Sequence, residues 1–215
     1  MASDYLRDVI EKLVAELFKL HAAGELTFGV FGAEITLYRV PRSIDVARML
    51  ANRGLLLEVL PILRLCLEMI AWANVAFSLG DEDKIVALKA QGCISQLKQI
   101  YETAGKIYGY LSRFAHWGQV VHGEFISSDE EKVAVIHASA RYRAMTLALC
   151  LVIIDVLVEA VRAIYGERSK SLILAVQDCE KPTSERMTFK MLAAIVEKTR
   201  LGEILEIQSL LICKP

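Results

Sequence analysis

The chain has 215 residues, 54% of them apolar, a formal net charge of −1 and five cysteines, with a mean hydropathy of +0.39. That length suits one domain closed around one large core. The near-zero charge excludes a global basic field that would draw the chain onto nucleic acid, leaving only local patches for such a task.

The apolar excess fits a thick core, an apolar oligomer interface or a membrane segment. The longest charge-free runs are Met69–Gly80 and Ala144–Ile154, 12 and 11 residues, well short of the ~20 apolar residues a spanning helix needs. The opening MASDYLRDVIEK is charged, without an apolar signal core or cleavage site. The expectation is a soluble cytoplasmic protein with no membrane partner. Cys66, Cys93, Cys150, Cys179 and Cys213 are odd in number and contain no C-x-x-C pair, as expected of small buried hydrophobes in a reducing compartment.

Taken in chain order, the periodicity is helical nearly throughout. Leu6, Ile10, Leu13, Leu17 and Leu20 step by four, three, four and three, with Ser3 as the expected N-cap and Gly24 as the stop. Residues 25–40 mix β-branched and aromatic residues with Gly29 and Gly32, and read as a loop leading into a short helix. Ser43 caps a helix to about Arg53, which Gly54 ends. A long apolar helix covers roughly 56–79, beginning or kinking at Pro61.

Asp81 caps the next helix, which runs to about Leu97 and continues, bent, through Leu111. Residues 124–137 change character, two short apolar stretches flanking SSDEEK, and read as a small β-hairpin or a loop. Helix resumes over about 139–165, closed by Gly166, and short helices finish the chain, one behind Pro182 and Thr183. The fold class is therefore all-α: one multi-helix bundle over residues 1–215, with the 124–137 hairpin as its one non-helical part.

Four features bear on chemistry. Arg64 and Glu68 lie one turn apart on a helix crowded with Leu63, Leu65, Leu67, Met69 and Ile70. A surface pair of this kind contributes only ~0.3–0.5 kcal/mol. In a helix with so little solvent face the expectation is a buried pair, serving a site or fixing helix register, whose disruption costs roughly 3–5 kcal/mol. Ser112 and His116 share a helix face, with Arg113, Tyr108, Tyr110, Phe114 and Trp117 around them. A histidine there can move protons near neutral pH, and Arg113 can hold a phosphate; a structural histidine at a helix end is the plainer reading.

Asp155 and Glu159 interrupt an apolar helix one turn apart, either marking a solvent stripe with Arg162 or facing inward toward Arg64. Residues 39–64 hold Arg39, Arg42, Arg48, Arg53 and Arg64 against only Asp45 and Glu58, a balance that suits a phosphate backbone or a solvated face. His116, His122, Glu124 and His137 have no recognised metal-ligand spacing. No P-loop, glycine-rich dinucleotide turn, G-x-S-x-G or H-E-x-x-H is present. Neither a metal nor another cofactor is expected.

Two stretches in order resemble a family. RSIDVARMLANRGLLLEVLPILRLCLEMIAWA, residues 42–73, is similar to the helix–Gly–helix segment with an Arg-x-x-x-Glu core of HEPN-like bacterial helical proteins. Tyr108, Leu111, Ser112 and His116 match the Tyr-x-x-Leu-Ser-x-x-x-His segment that often follows. The resemblance implies a helical core over about 42–165, dimerisation, and the RNA-directed chemistry of toxin–antitoxin or antiviral defence systems. It further implies metal-independent cleavage, His116 acting on the 2′-hydroxyl and an arginine on the scissile phosphate. The family's Arg–His pair is separated by four to six residues, whereas Arg113 stands two residues before His116, so Arg64 is the arginine of choice.

Two readings follow. One is a HEPN-like RNA-directed effector with Arg64, Glu68, Ser112, Arg113 and His116 around one cleft. The other is a non-catalytic helical interaction or regulatory module, an antitoxin or assembly subunit with a protein partner from the same operon, in which those residues are structural.

Overall fold

The computed structural model describes residues 2–20, 26–115, 126–129, 132–135 and 140–176. Its helices are α1 (Ala2–Leu17), α2 (Phe28–Asn52), α3 (Leu56–Ala76), α4 (Glu82–Val86), α5 (Ala90–Leu97), α6 (Ala104–Ala115), α7 (Ala140–Tyr165) and α8 (Lys170–Val176), with a 3-10 turn at Gly166–Ser169. Strands β1 (Ile126–Asp129) and β2 (Lys132–Val135) pair antiparallel, Ile126 opposite Val135, in the segment expected to hold a hairpin. The all-α reading stands.

In α1 the residues that step by four and three, Leu6, Ile10, Leu13 and Leu17, are all buried, as is Leu20 just beyond the helix. Ser3 lies inside this helix rather than capping it. Its hydroxyl takes hydrogen bonds from Arg48 at 3.1 Å and Asn52 at 2.6 Å, tying α1 to α2.

The largest departure is α2, one helix of 25 residues where a loop and a helix from Ser43 were expected. Its cap is Thr27, whose hydroxyl accepts the Val30 N–H at 3.2 Å. Val30, Ala33, Leu37, Val40, Ile44, Ala47 and Ala51 then form an unbroken buried stripe. Two interior glycines and Pro41 oppose helix by about 1 kcal/mol per glycine and ~3 kcal/mol for the proline. Full burial of each large side chain in the stripe returns about 1.5–3 kcal/mol, so packing wins. Gly29 is required for a different reason. A Cβ there would meet the carbonyl oxygens of Ala76 and Leu79, where the end of α3 crosses the start of α2.

Gly54 closes α2 with φ +80°, a left-handed conformation that suits glycine. Helix α3 starts at Leu56 and runs through Pro61 without interruption. Asp81 caps α4 through the Lys84 N–H at 3.3 Å, as expected, but the chain breaks at 87–89 and again at 98–103, giving three short helices in place of one bent one.

Helix α3 sits at the middle, packing on α2, α5, α6 and α7. The buried side chains of α1, α2, α3, α5, α6, α7 and α8 form one core. Its densest element is α7, where Leu147 to Val158 are buried without a break. By length and composition the stretch Tyr142–Ile173 is apolar enough to cross a membrane. Its most apolar 18 consecutive residues are 89% buried inside the bundle, however, as in the core helix of a helical bundle. Gly166, φ +55°, ends α7. The helix expected behind Pro182 lies outside the described residues.

Candidate functional site

Arg64 and Glu68 are paired, Nε to Oε1 at 3.0 Å. The expectation of full burial is corrected: their side chains keep 23% and 20% of their exposure, because they stand at the rim of α3 rather than in its core. Tyr108 on α6 completes the group. Its hydroxyl donates to Glu68 Oε1 at 3.0 Å and lies 3.1 Å from Arg64 Nη2, while the guanidinium carbon sits 5.3 Å from the centre of the Tyr108 ring. Burial works against the charge on Arg64, but the Tyr108 hydroxyl and the Glu68 carboxylate outweigh it and hold the guanidinium above its ordinary pKa.

Ser112 follows Tyr108 by one turn on the same face of α6. Its hydroxyl oxygen is buried and has no hydrogen-bond partner among the described residues. Arg113 comes round to another face, where its guanidinium lies 5.2 Å from the Tyr110 ring centre and 6.0 Å from that of Phe114. Arg64 and Glu68 therefore meet α6 at Tyr108, one turn before Ser112. His116, His122, Glu124 and His137 lie outside the described residues. Among the described residues no group of three or more His, Cys, Asp or Glu is placed to hold a metal.

Asp155 does not meet Arg64. It is buried, 5% exposed, and accepts the Tyr101 hydroxyl at 3.1 Å. Glu159 pairs with Arg162 at 3.8 Å. Cys66, Cys93 and Cys150 are buried free thiols, and burial pushes Cys66 up to about 12; Cys179 and Cys213 lie outside the described residues.

The arginine-rich stretch divides in two. Arg48 donates to Asp45 at 2.8 Å as well as to Ser3, and Arg64 is held as above. Arg39, Arg42 and Arg53 are exposed and make no ion pair among the described residues. All three lie on the outward stripe of α2, which runs Phe28, Phe31, Ile35, Arg39, Arg42, Val46, Met49, Arg53 at helical spacing. The five apolar members are 42–50% exposed, and the stripe extends for about 38 Å at 1.5 Å per residue.

Beside its midpoint opens a cleft of about 250 Å³ lined by Thr36, Arg39, Leu65, Glu68, Met69, Trp72 and Ala90. Its floor is apolar, its two charges opposite. Arg39, Leu65, Glu68 and Met69 stand out in the sequence, but the cleft they line does not. Its signal was the match of Thr36 and Arg39 on one helix to Leu65, Glu68, Met69 and Trp72 on the next, visible only once α2 is seen to extend back to Phe28.

No family model matches this chain, and neither a curated protein nor a solved structure matches it.

Proposed function

We propose that this protein is a non-catalytic helical interaction module that docks a protein partner on the outward stripe of α2 and the cleft beside it. One observation carries the reading: a face some seven turns long with Phe28, Phe31, Ile35, Val46 and Met49 about half exposed. Exposed apolar surface clustered on one face in this way marks interaction sites. Three arginines without ion pairs among the described residues stand in the same line, so the partner chemistry that fits is an amphipathic helix bearing acidic residues. Its apolar face would cover the stripe and one large side chain would anchor in the Trp72 cleft.

The RNA-cleaving reading needs an arginine whose charge is available to a scissile phosphate. Arg64 spends its charge on Glu68 and Tyr108, which supports the non-catalytic reading. Arg39 and Arg42 share a helix face with Phe31, and Arg39 lines the cleft with Trp72, which also suits single-stranded RNA, so the experiment carries an RNA arm.

A photo-crosslinking side chain at Phe31, introduced in the source cells, is expected to capture one defined protein. Arg39→Glu with Arg42→Glu should abolish that capture and Arg64→Ala should leave it intact. Purified protein is expected neither to bind nor to cleave single-stranded RNA without divalent metal. RNA cleavage lost in Arg64→Ala would replace this reading with the RNA-directed one.

A further inference from the structure

The cleft beside α2 carries more chemistry than an apolar anchor requires. Arg39 lines it from α2 and Glu68 from α3, two opposite charges on one space of about 250 Å³, yet no ion pair joins them. Arg39 makes neither an ion pair nor a hydrogen bond among the described residues. Glu68 gives only Oε1 to Arg64 and Tyr108, at 3.0 Å each, and its Oε2 has no partner among the described residues. A carboxylate has about four acceptor positions, so Oε2 can still take an N–H. The Thr36 hydroxyl, about one turn before Arg39, also makes no hydrogen bond among the described residues.

The apolar floor has a selectivity of its own. Leu65, Met69 and Trp72 follow one another at helical spacing on α3. The Trp72 ring rests against Gly32, where a Cβ would stand 3.1 Å from Cη2 and 3.6 Å from Cζ3. Glycine opposes helix at that position, but its missing side chain lets the indole pack close to α2. An indole favours an aromatic ring in offset or edge contact, and a thioether beside it does the same.

A ligand that satisfies both charges must carry both of theirs within one small molecule. Pockets for drug-sized ligands run to about 300–1,000 Å³, and this smaller one suits a single amino acid. We propose that the cleft binds a free α-amino acid with an aromatic side chain. Its carboxylate bonds Arg39 and Thr36, its ammonium bonds Glu68, and its ring packs on Trp72 and Met69. Arg64 and Tyr108 are positioning residues: they fix the Glu68 carboxylate beforehand, so less freedom is lost on binding. The ligand fills the space offered to the partner's anchor, so the two compete; that consequence rests on the reading of the α2 face as a docking surface.

The test follows the Trp72 indole N–H resonance of the full-length protein, assigned by its loss in Trp72→Phe, as L-phenylalanine is added. A saturable shift is expected. L-Phenylalaninamide lacks the carboxylate and N-acetyl-L-phenylalanine lacks the ammonium. Each should bind at least about tenfold more weakly, the scale of one charge-assisted hydrogen bond. The two analogues also stand for the first and last residues of a peptide, so they separate a free amino acid from a chain end. Arg39→Gln should weaken phenylalanine at least about tenfold and leave phenylalaninamide unchanged, since that ligand offers Arg39 no carboxylate. Glu68→Gln should weaken phenylalanine and leave N-acetyl-phenylalanine unchanged. Far-UV spectra of each variant confirm that the helices persist.

No saturable shift with phenylalanine, equal affinity for either analogue, or indifference to either substitution would each overturn the inference. Competition is read separately, as loss of cross-linked partner at Phe31 when phenylalanine is added. If capture still depends on Arg39 and Arg42 while phenylalanine does not bind, the docking reading stands and the amino-acid site alone fails. If phenylalanine binds but capture continues unchanged, the amino-acid site stands and the partner's anchor is not in this cleft.

Discussion

Tyr165, at the last position of α7, donates its hydroxyl to Glu34 in the second turn of α2 at 3.2 Å, joining residues 131 positions apart. Both are buried, 8% and 9% exposed. Burial first, and the Glu34 carboxylate beside it second, raise the Tyr165 phenol above its ordinary value near 10. The sign follows directly. Below that value the phenol is neutral in folded and unfolded chains alike, so the stability it contributes is complete. Above it the unfolded chain ionises first, and stability falls as pH rises. Urea midpoints should therefore decline from about pH 10 upward, and Tyr165→Phe should flatten that decline while lowering stability at neutral pH by about 1 kcal/mol for the lost bond.

Removing Arg64 is expected to cost about 1–2 kcal/mol, below the 3–5 kcal/mol of a fully buried pair, because both side chains remain a fifth exposed and water can solvate the stranded carboxylate. A double-mutant cycle of Arg64→Ala with Tyr108→Phe in urea unfolding checks it. Because Tyr108 bonds both charges, the two losses should not add.

Gly29→Ala should destabilise by about 2–4 kcal/mol. The added methyl meets two backbone carbonyls, which cannot rotate aside as a flexible side chain could. Gly92→Ala, at an open helical position, should be neutral or stabilising by up to about 1 kcal/mol. Thermal melts of the two variants separate a packing glycine from an incidental one.

Cys66 and Cys150 should resist alkylation in the native protein near ~pH 8, where an exposed thiol is substantially ionised. Both are 0% exposed and burial pushes both thiols well up. Mass spectrometry after iodoacetamide should find them unmodified until urea is added.

The elements whose apolar residues face one core were legible in order. The four-and-three stepping of Leu6 to Leu20 gave α1, and Gly54, Asp81 and Gly166 marked real boundaries. Helix α2 was hidden because Gly29, Gly32 and Pro41 argue locally against helix, and the reason for Gly29 is a contact with α3 that no local pattern contains. That error carried a second one. With the helix begun at Ser43, Phe28, Phe31 and Ile35 fell out of phase with Arg39 and Arg42, so the outward stripe could not be seen. The Arg64–Glu68 pair was visible because two charges one turn apart stand out in an apolar run. Tyr108 as their shared partner was not, since it arrives from α6, 40 positions beyond Glu68.

Helix α7 has a further consequence for synthesis. The stretch Tyr142–Ile173, most of it α7, is apolar enough to pass for a membrane span, and an emerging chain with such a segment bare would be exposed to insertion machinery and to aggregation. Yet α1, α2 and α3, which pack against it, all precede it in the chain. When residues 142–173 leave the ribosome, those covering helices have already been translated, so the greasiest part of the molecule emerges into a cradle instead of open water.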